Sequence, residues 1–250
     1  MKTNTAPRIL LALVLTFSLG VAQDTLKFLS YNIEGMKPDT DYPTRLQAII
    51  QELKVLDPNV MGFQEVAQHS SSDNMAQTIA DSLALHFGTE YYVTWQFTHT
   101  AYSSYSEGIG IVSKRPVTAS GYQSLPIAVF PRKVLWNQID VQGTPLHFFT
   151  THLAYRDEDN STRIQQVNSI KAFIDTKVTN APGPAILTGD FNCTPDSDPI
   201  AQLANYSSSW DQLHPTLSGY TYPASNPTKK IAPASISAAS AVTLKHKSGS

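Results

Sequence analysis

Gly189-Asp190-Phe191-Asn192-Cys193-Thr194 follows the apolar run Ala185-Ile186-Leu187-Thr188 and precedes Pro195-Asp196-Ser197-Asp198-Pro199. An apolar run that stops at glycine and then presents Asp-x-Asn predicts a buried strand with polar groups at its carboxyl end. Open α/β sheets collect their ligands at that end. On extended backbone Asp190 and Asn192, two apart, point to one side. A carboxylate beside an amide can position a water or grip an oxyanion. Taken alone, Gly-Asp-x-Asn is read more plainly as a strand closing in an Asx turn with nothing bound. The functional reading therefore depends on whether other strands end in the same way.

Three others do. Leu26-Lys27-Phe28-Leu29-Ser30-Tyr31 predicts a first strand, apolar enough to lie centrally, that ends at Asn32. Val60-Met61-Gly62-Phe63 predicts a second, finishing at Gln64-Glu65. A glutamate closing an apolar strand must be paired or bind a cation, since an ionised carboxylate is costly to bury alone. A salt bridge would serve as well. Val134–Val141 and Pro145–Thr151 read as a hairpin across Gln142-Gly143-Thr144, and its second arm delivers Thr151-His152-Leu153. A lone strand-end histidine is ordinarily structural; here it is the fourth such polar group.

Between these strands lie helices. Leu46, Ile49, Ile50, Leu53 and Leu56 recur at helical spacing and stop at Asp57-Pro58. A second helix is expected from Asp73 to Phe87, capped by Ser72 or Asp73 and ended by Gly88. Ile164, Val167, Ile170 and Ile174 give a third an inward face, after a solvated Asp157-Glu158-Asp159 loop. Tyr91–Phe97 and Glu107–Ser113 are further strands. Lys114-Arg115 and Arg132-Lys133 are basic loops, read as solvated turns at least as readily as substrate contacts.

The chain opens with Lys2 and Arg8, an apolar run from Ile9 to Leu19, and Gly20-Val21-Ala22. This pattern predicts a secretory signal peptide over residues 1–22, cleaved after Ala22, with export as the expected location. A retained membrane anchor would need ~20 apolar residues and is the weaker reading. Removing 22 of the 250 residues leaves 228, enough for one well-cored domain. Lys+Arg then falls from 18 to 16 against 20 Asp+Glu, a net charge of −4. Such a balance opposes broad binding to nucleic acid, though not a local basic patch. The single cysteine, Cys193, excludes an intrachain disulfide and is assigned a core or turn role.

Tyr31-Asn32-Ile33, Phe63-Gln64-Glu65-Val66, Thr151-His152-Leu153 and Gly189-Asp190-Phe191-Asn192, in that order, resemble the motifs of the endonuclease/exonuclease/phosphatase superfamily. Glu107-Gly108-Ile109-Gly110-Ile111-Val112-Ser113 is similar to its glycine-containing middle strand, and Arg163 with Gln166 to the pair after its histidine motif. The resemblance implies an α/β four-layer sandwich, two mixed sheets face to face with helices outside. It implies metal-assisted hydrolysis of a phosphoester: nucleic acid, a phospholipid head group or a small phosphate ester. Glu65 with Asn32 is similar to the ligand set for Mg2+ or Mn2+. His152 then resembles the donor to a phosphoryl oxygen, Asp190 the group that orients or deprotonates water, and Asn192 a phosphate holder.

The resemblance ends after Thr221-Tyr222-Pro223 and Lys229-Lys230-Ile231. Ala232 stands where the pattern has Asp, no acidic residue follows Asp211, and His246 lacks an acidic neighbour. Residues 23–231 are therefore expected to form the domain. Residues 232–250 form a divergent tail, read as a shifted reading frame or truncated gene copy, with the last core strand missing or altered. The rival readings are a catalytically silent metal- or phosphate-binding relic, and a chain that does not fold stably.

Overall fold

The computed structural model describes residues 26–217 and the backbone of residues 242–244. The expected signal peptide at 1–22, the motifs at 221–223 and 229–231, and the tail apart from 242–244 lie outside the described residues.

Period-two apolar patterning builds two sheets whose alternate residues face opposite ways. The first sheet contains β1 (Phe28–Asn32), β2 (Val60–Gln68), β3 (Tyr92–Ala101) and β4 (Tyr105–Ser113) in the order β1-β2-β4-β3. Strand β1 runs parallel to β2, while β2 and β3 are antiparallel to β4. The second contains β5 (Val117–Ser124), β6 (Lys133–Val141), β7 (Thr144–His152), β8 (Ala185–Asp190), β9 (Ser207–Ser208) and β10 (Val242–Leu244). Its order is β5-β6-β7-β8-β10-β9, with only β7 and β8 parallel. The place beyond β8, where sequence leads one to expect a missing or altered strand, is taken by the short β10.

The sheets stack through Val60, Ile109, Ile111, Leu135, Ile139, Phe148 and Ile186. Gly62 sits close against the second sheet: an added Cβ would lie 2.7 Å from Thr188 Oγ1 and 2.8 Å from Thr150 Oγ1. Helices α1 (Tyr42–Leu56) and α2 (Met75–Phe87) cover the outside of the first sheet, packing Ile50, Leu53, Ile79 and Leu83 onto Met61 and Phe63. Helix α3 (Asn160–Asn180) covers the second, packing Val167, Ile170 and Ile174 onto Phe149 and Leu187. This is the expected four-layer α/β sandwich. Each fully buried side chain of this kind contributes roughly 1.5–3 kcal/mol. Short helices α4 (Asp198–Ala201) and α5 (Ser209–Leu213) complete the described chain.

Several expectations are corrected. Strand β1 is an edge strand, because β2 pairs with it on one side only and Tyr31 is exposed. Its apolar residues serve both faces, with Phe28 toward the other sheet and Leu29 toward the helices, so composition alone mimics a central strand. Helix α2 is capped by Asn74, whose side chain accepts from Ala76 N and Gln77 N; Asp73 instead accepts from His69 N and Ser70 N in the preceding turn. Ile164 is only half-buried, and Arg163 and Gln166 share the inward face of α3. Residues Asp157–Asp159 form a 3-10 turn, and β5, half-exposed with alternating burial, carries no sequence signal strong enough to predict. Among the described residues no helix is long and apolar enough to cross a membrane.

Candidate active site

The strand directions explain where the polar groups meet. In the parallel pairs, Asn32 lies opposite Gln64 and His152 opposite Asp190, so both pairs present their carboxyl ends at one edge of the sandwich. The antiparallel partners bring their starts to the same edge: Glu107 pairs with Ala67, and Val134 with Thr151.

Strand β2 does not stop at Glu65. It continues to Gln68 through a bulge, in which Gln64 and Glu65 together oppose the single residue Ile109 between Phe63↔Gly110 and Val66↔Gly108. Glu65 adopts φ 55°, a left-handed conformation that a non-glycine residue holds only when its surroundings enforce it. The bulge keeps Phe63 and Val66 both on the helix side, while Gln64 Nε2 reaches across to donate to Thr150 Oγ1 at 2.9 Å. A second bulge in β3, between Phe97 and His99, sets His99 opposite Glu107.

Asn32 joins the two sheets. Its Nδ2 donates to Glu65 Oε1 at 2.8 Å and to Asp190 Oδ2 at 3.0 Å, while its Oδ1 accepts from Glu34 N at 3.0 Å. Asp190 Oδ2 lies 3.7 Å from His152 Nε2, beyond direct hydrogen-bond length. Arg132 Nη1 stands 3.1 Å from His152 Nδ1. A guanidinium can only donate, so Nδ1 accepts and the ring proton sits on Nε2, the nitrogen facing Asp190.

Asn192 departs from the extended geometry expected of it. At φ 49° its backbone turns back, its N–H donates to Asp190 Oδ1 at 3.0 Å, and its Nδ2 donates to Leu153 O at 3.1 Å. The Asx turn is real, and its effect is to fix the Asp190 carboxylate. Arg163 and Gln166 secure the loop beyond His152: Arg163 Nη1 donates to Ala154 O and Arg156 O, and Gln166 Oε1 accepts from Ala154 N. Cys193 is buried and free.

Two residues at the centre escape the sequence reading. Arg132, expected as part of a solvated basic loop, is 5% exposed. Burial lowers its proton affinity, and Glu107, Glu65 and Asp190 offset part of that effect. Glu107, read only as the head of a glycine-containing strand, is 6% exposed; burial, then the charge of Glu65, push its carboxyl up to about 7 against the pull of Arg132. Burial likewise raises Glu65, with Asn32 opposing and Asp190 adding to the rise. His99 is held down to about 4 by burial and by Arg132, so its 3.5 Å contact with Glu107 is not an ion pair at neutral pH. The argument that flags Glu65, a carboxylate closing an apolar run, does not reach Glu107, which opens its run instead. The other basic loop is structural: Lys114 pairs with Asp57 and lies over the Phe87 ring.

The site's fit to a divalent cation rests on its donors. Glu65 offers a hard carboxylate oxygen whose burial is offset by the Asn32 amide and, more weakly, by the charge of Arg132. Asn32, in contrast, presents nitrogen to the carboxylates, and its oxygen is held by Glu34 N–H; ligation through Oδ1 requires the amide to turn over. Among the described residues no group of three or more His, Cys, Asp or Glu side chains is arranged as a metal cage. Magnesium retains several waters and is satisfied by one or two carboxylates, so this donor set fits it.

The fold has solved counterparts. An endonuclease/exonuclease/phosphatase family protein from Leptotrichia buccalis superposes with TM-score 0.71 at 17% identity, covering 88% of each chain. The human Nocturnin catalytic domain with bound sulfate anion gives 0.64 at 17% identity, covering 75% of this chain and 73% of that one. The mannosyl-6-phosphatase of Bacteroides thetaiotaomicron gives 0.60 at 19% identity, covering 75% and 74%. No curated protein sequence matches significantly. The sequence profile of the family matches residues 29–231, which include every strand-end group described above, and the chain accordingly belongs to the Endonuclease/Exonuclease/phosphatase family.

Proposed function

We propose that this chain is an exported, divalent-metal-dependent phosphoesterase that cleaves a phosphodiester by attack of water. The observation that carries the reading is the meeting of Asn32, Glu65, His152 and Asp190 from four strands of two sheets, backed by buried Arg132. The sulfate in Nocturnin and the phosphatase activity in the Bacteroides protein's name support a phosphate-like ligand in this fold.

Glu65 would hold the ion, with Asp190 beside it; when bound, Mg2+ or Mn2+ supplies charge neutralisation of the phosphoryl and leaving oxygens. The chain's own groups do the rest. The Nε2–H of His152 donates to a non-bridging phosphoryl oxygen, where negative charge gathers in the transition state. Arg132 is a positioning residue that fixes this tautomer through Nδ1. Asp190 accepts the proton of the attacking water as its oxygen bonds to phosphorus and the bond to the leaving oxygen breaks. Asn192 and Asn32 hold the Asp190 carboxylate in place.

A second reading, a silent metal- and phosphate-binding relic, is favoured by one observation: Ala232 stands where the family's pattern has Asp, and residues 212–250 carry no Asp or Glu. We therefore expect turnover to be slow, by ~10²–10⁴-fold for one lost acid–base group. Hydrolysis of bis(p-nitrophenyl) phosphate by the full chain, with magnesium and with chelator, tests this. Magnesium-dependent release that disappears in Asp190→Asn supports the enzyme. Phosphate binding without turnover supports the relic, and neither binding nor turnover refutes both.

A further inference from the structure

The residues two places before Asn32, His152 and Asp190 are Ser30, Thr150 and Thr188. On extended backbone a residue and its second neighbour share a face, so a tier of hydroxyls lies beneath the reactive groups, between the two sheets. The strand register keeps this tier level: Ser30 pairs with Gly62, and Thr150 with Thr188. Deeper still the interior turns apolar, with Phe28, Val60, Phe148 and Ile186. Thr150 and Thr188 are buried, and neither has a part in the mechanism above. A buried hydroxyl is costly unless it is bonded, and valine has nearly the same shape without that cost. What a satisfied polar tier supplies at such a depth is a specified arrangement.

Gln64 reaches into the tier from the bulge of β2. Its buried Nε2 donates across the sheets to Thr150 Oγ1 at 2.9 Å, with Ser30 Oγ and Gly62 O each at 3.3 Å on its own side. The carbonyls flanking Glu65 are taken up as well: Gln64 O accepts from Ile33 N at 3.0 Å, and Val66 O from Trp95 Nε1 at 3.4 Å. Gln64 and Glu65 are the two bulge residues that share one place opposite β4. Which of them turns inward decides where the carboxylate points, and a slip of one place would exchange their faces. The Gln64–Thr150 bond opposes that slip. It also joins the two halves of the centre, because Gln64 precedes Glu65 on the first sheet and Thr150 stands two before His152 on the second.

We propose that Gln64 and Thr150 are positioning residues whose hydrogen bond between the sheets sets Glu65 in register with His152, so that one phosphate reaches the ion and the histidine together. This inference rests on the reading in which Glu65 holds the ion and His152 meets the phosphate.

The test compares Thr150→Val, which puts a methyl in place of the hydroxyl, with Thr150→Ser, which retains the hydroxyl, in the full chain. Calorimetry measures the affinity for Mg2+ and then for inorganic phosphate in saturating Mg2+, and circular dichroism checks folding. Thr150→Val should bind Mg2+ about fivefold and phosphate about tenfold more weakly than the wild type, and Thr150→Ser should recover most of both losses. Gln64→Met, which keeps the length and loses the amide, should reproduce the losses of Thr150→Val. The double variant should be no weaker than Gln64→Met alone, since one bond is removed in each case. Wild-type affinities in Thr150→Val, losses shared equally by Thr150→Ser, or losses that add in the double variant overturn the tie and leave the phosphoesterase reading intact. If Thr150→Val does not fold, Gln64→Met decides alone, and wild-type affinities there overturn the tie equally. A wild type that binds neither probe overturns that reading and the tie with it.

Discussion

Glu107→Gln isolates the most perturbed carboxyl of the site and turns its environment into a stability measurement. The wild-type carboxyl, ordinarily near 4.5, is pushed up to about 7 by burial and by Glu65. In the unfolded chain it ionises near its ordinary value. Between about 4.5 and 7 the folded protein therefore holds a proton that the unfolded chain has released, and stability falls as pH rises through that window. The penalty is absent below 4.5 and complete above about 7. At ~1.4 kcal/mol per tenfold change in proton affinity, it amounts to on the order of 3 kcal/mol. Glutamine has nearly the same shape and no charge, so the variant escapes the penalty while matching the wild type in acid. For a domain of this size ~1 kcal/mol moves Tm by roughly 2–4 °C, giving a gain of about 6–12 °C at pH 8. Thermal unfolding of both proteins in chelator, followed by circular dichroism from pH 4.5 to 8.5, measures the difference directly. Carboxylates that do not interact with Glu107 titrate alike in both and cancel, while Glu65, whose charge acts on Glu107, is relieved in the variant and adds to the gain. Two parallel Tm curves, or a variant less stable at pH 8, would show that Arg132 compensates the buried Glu107 charge and would refute the reasoning.

Three further outcomes are expected. Glu65→Gln should weaken magnesium binding at least tenfold, ~1.4 kcal/mol, in calorimetry; unchanged affinity removes Glu65 as the ligand. His152→Ala should lower the magnesium-dependent rate on bis(p-nitrophenyl) phosphate by ~10²–10⁴-fold, while Arg132→Lys, which cannot reproduce the planar guanidinium, should lower kcat with a smaller change in KM. N-terminal sequencing of exported protein should begin at Gln23, and a mature protein retaining Met1 would end the signal-peptide proposal.

What was legible in the sequence was the set of strand ends preceded by apolar runs. Glu65, His152 and Asp190 each follow four or more buried residues, and Asn32 follows an apolar run that is only half-buried, so their position at a rim follows from the run itself. Arg132 and Glu107 could not be read that way, because they stand before their apolar runs. Their arrival at the same rim depends on β4 and β6 being antiparallel to β2 and β7, a fact about pairing that no local pattern encodes. Arg132 also sits beside Lys133, whose Nζ reaches Phe97 O near the surface, and a basic pair of this kind looks like a turn from composition alone. The two bulges were illegible for the same reason. One extra residue in β2 and one in β3 change which neighbour each side chain meets, and only the partner strand reveals them.

The centre that results has an electrostatic logic that ties the metal reading to the substrate reading. Glu65, Glu107 and Asp190 bring three carboxyl groups around one guanidinium, Arg132. The His152 proton faces Asp190, and the amide of Asn32 is committed to Glu65 and Asp190. An anionic phosphoester entering this set would meet more negative groups than positive ones. Protonation of Glu107 near pH 7 relieves only part of that excess. Burial first, and then the neighbouring carboxylate charge, raise the proton affinities of Glu65 and Glu107, so both groups take up protons when no cation is supplied. A divalent cation at Glu65 would offset the negative charge more fully and reverse the sign of the cleft toward phosphate. Metal and phosphoester should therefore bind in a positively coupled way, each raising the affinity of the other by the same factor. Phosphate binding of equal affinity with and without the ion would refute that coupling.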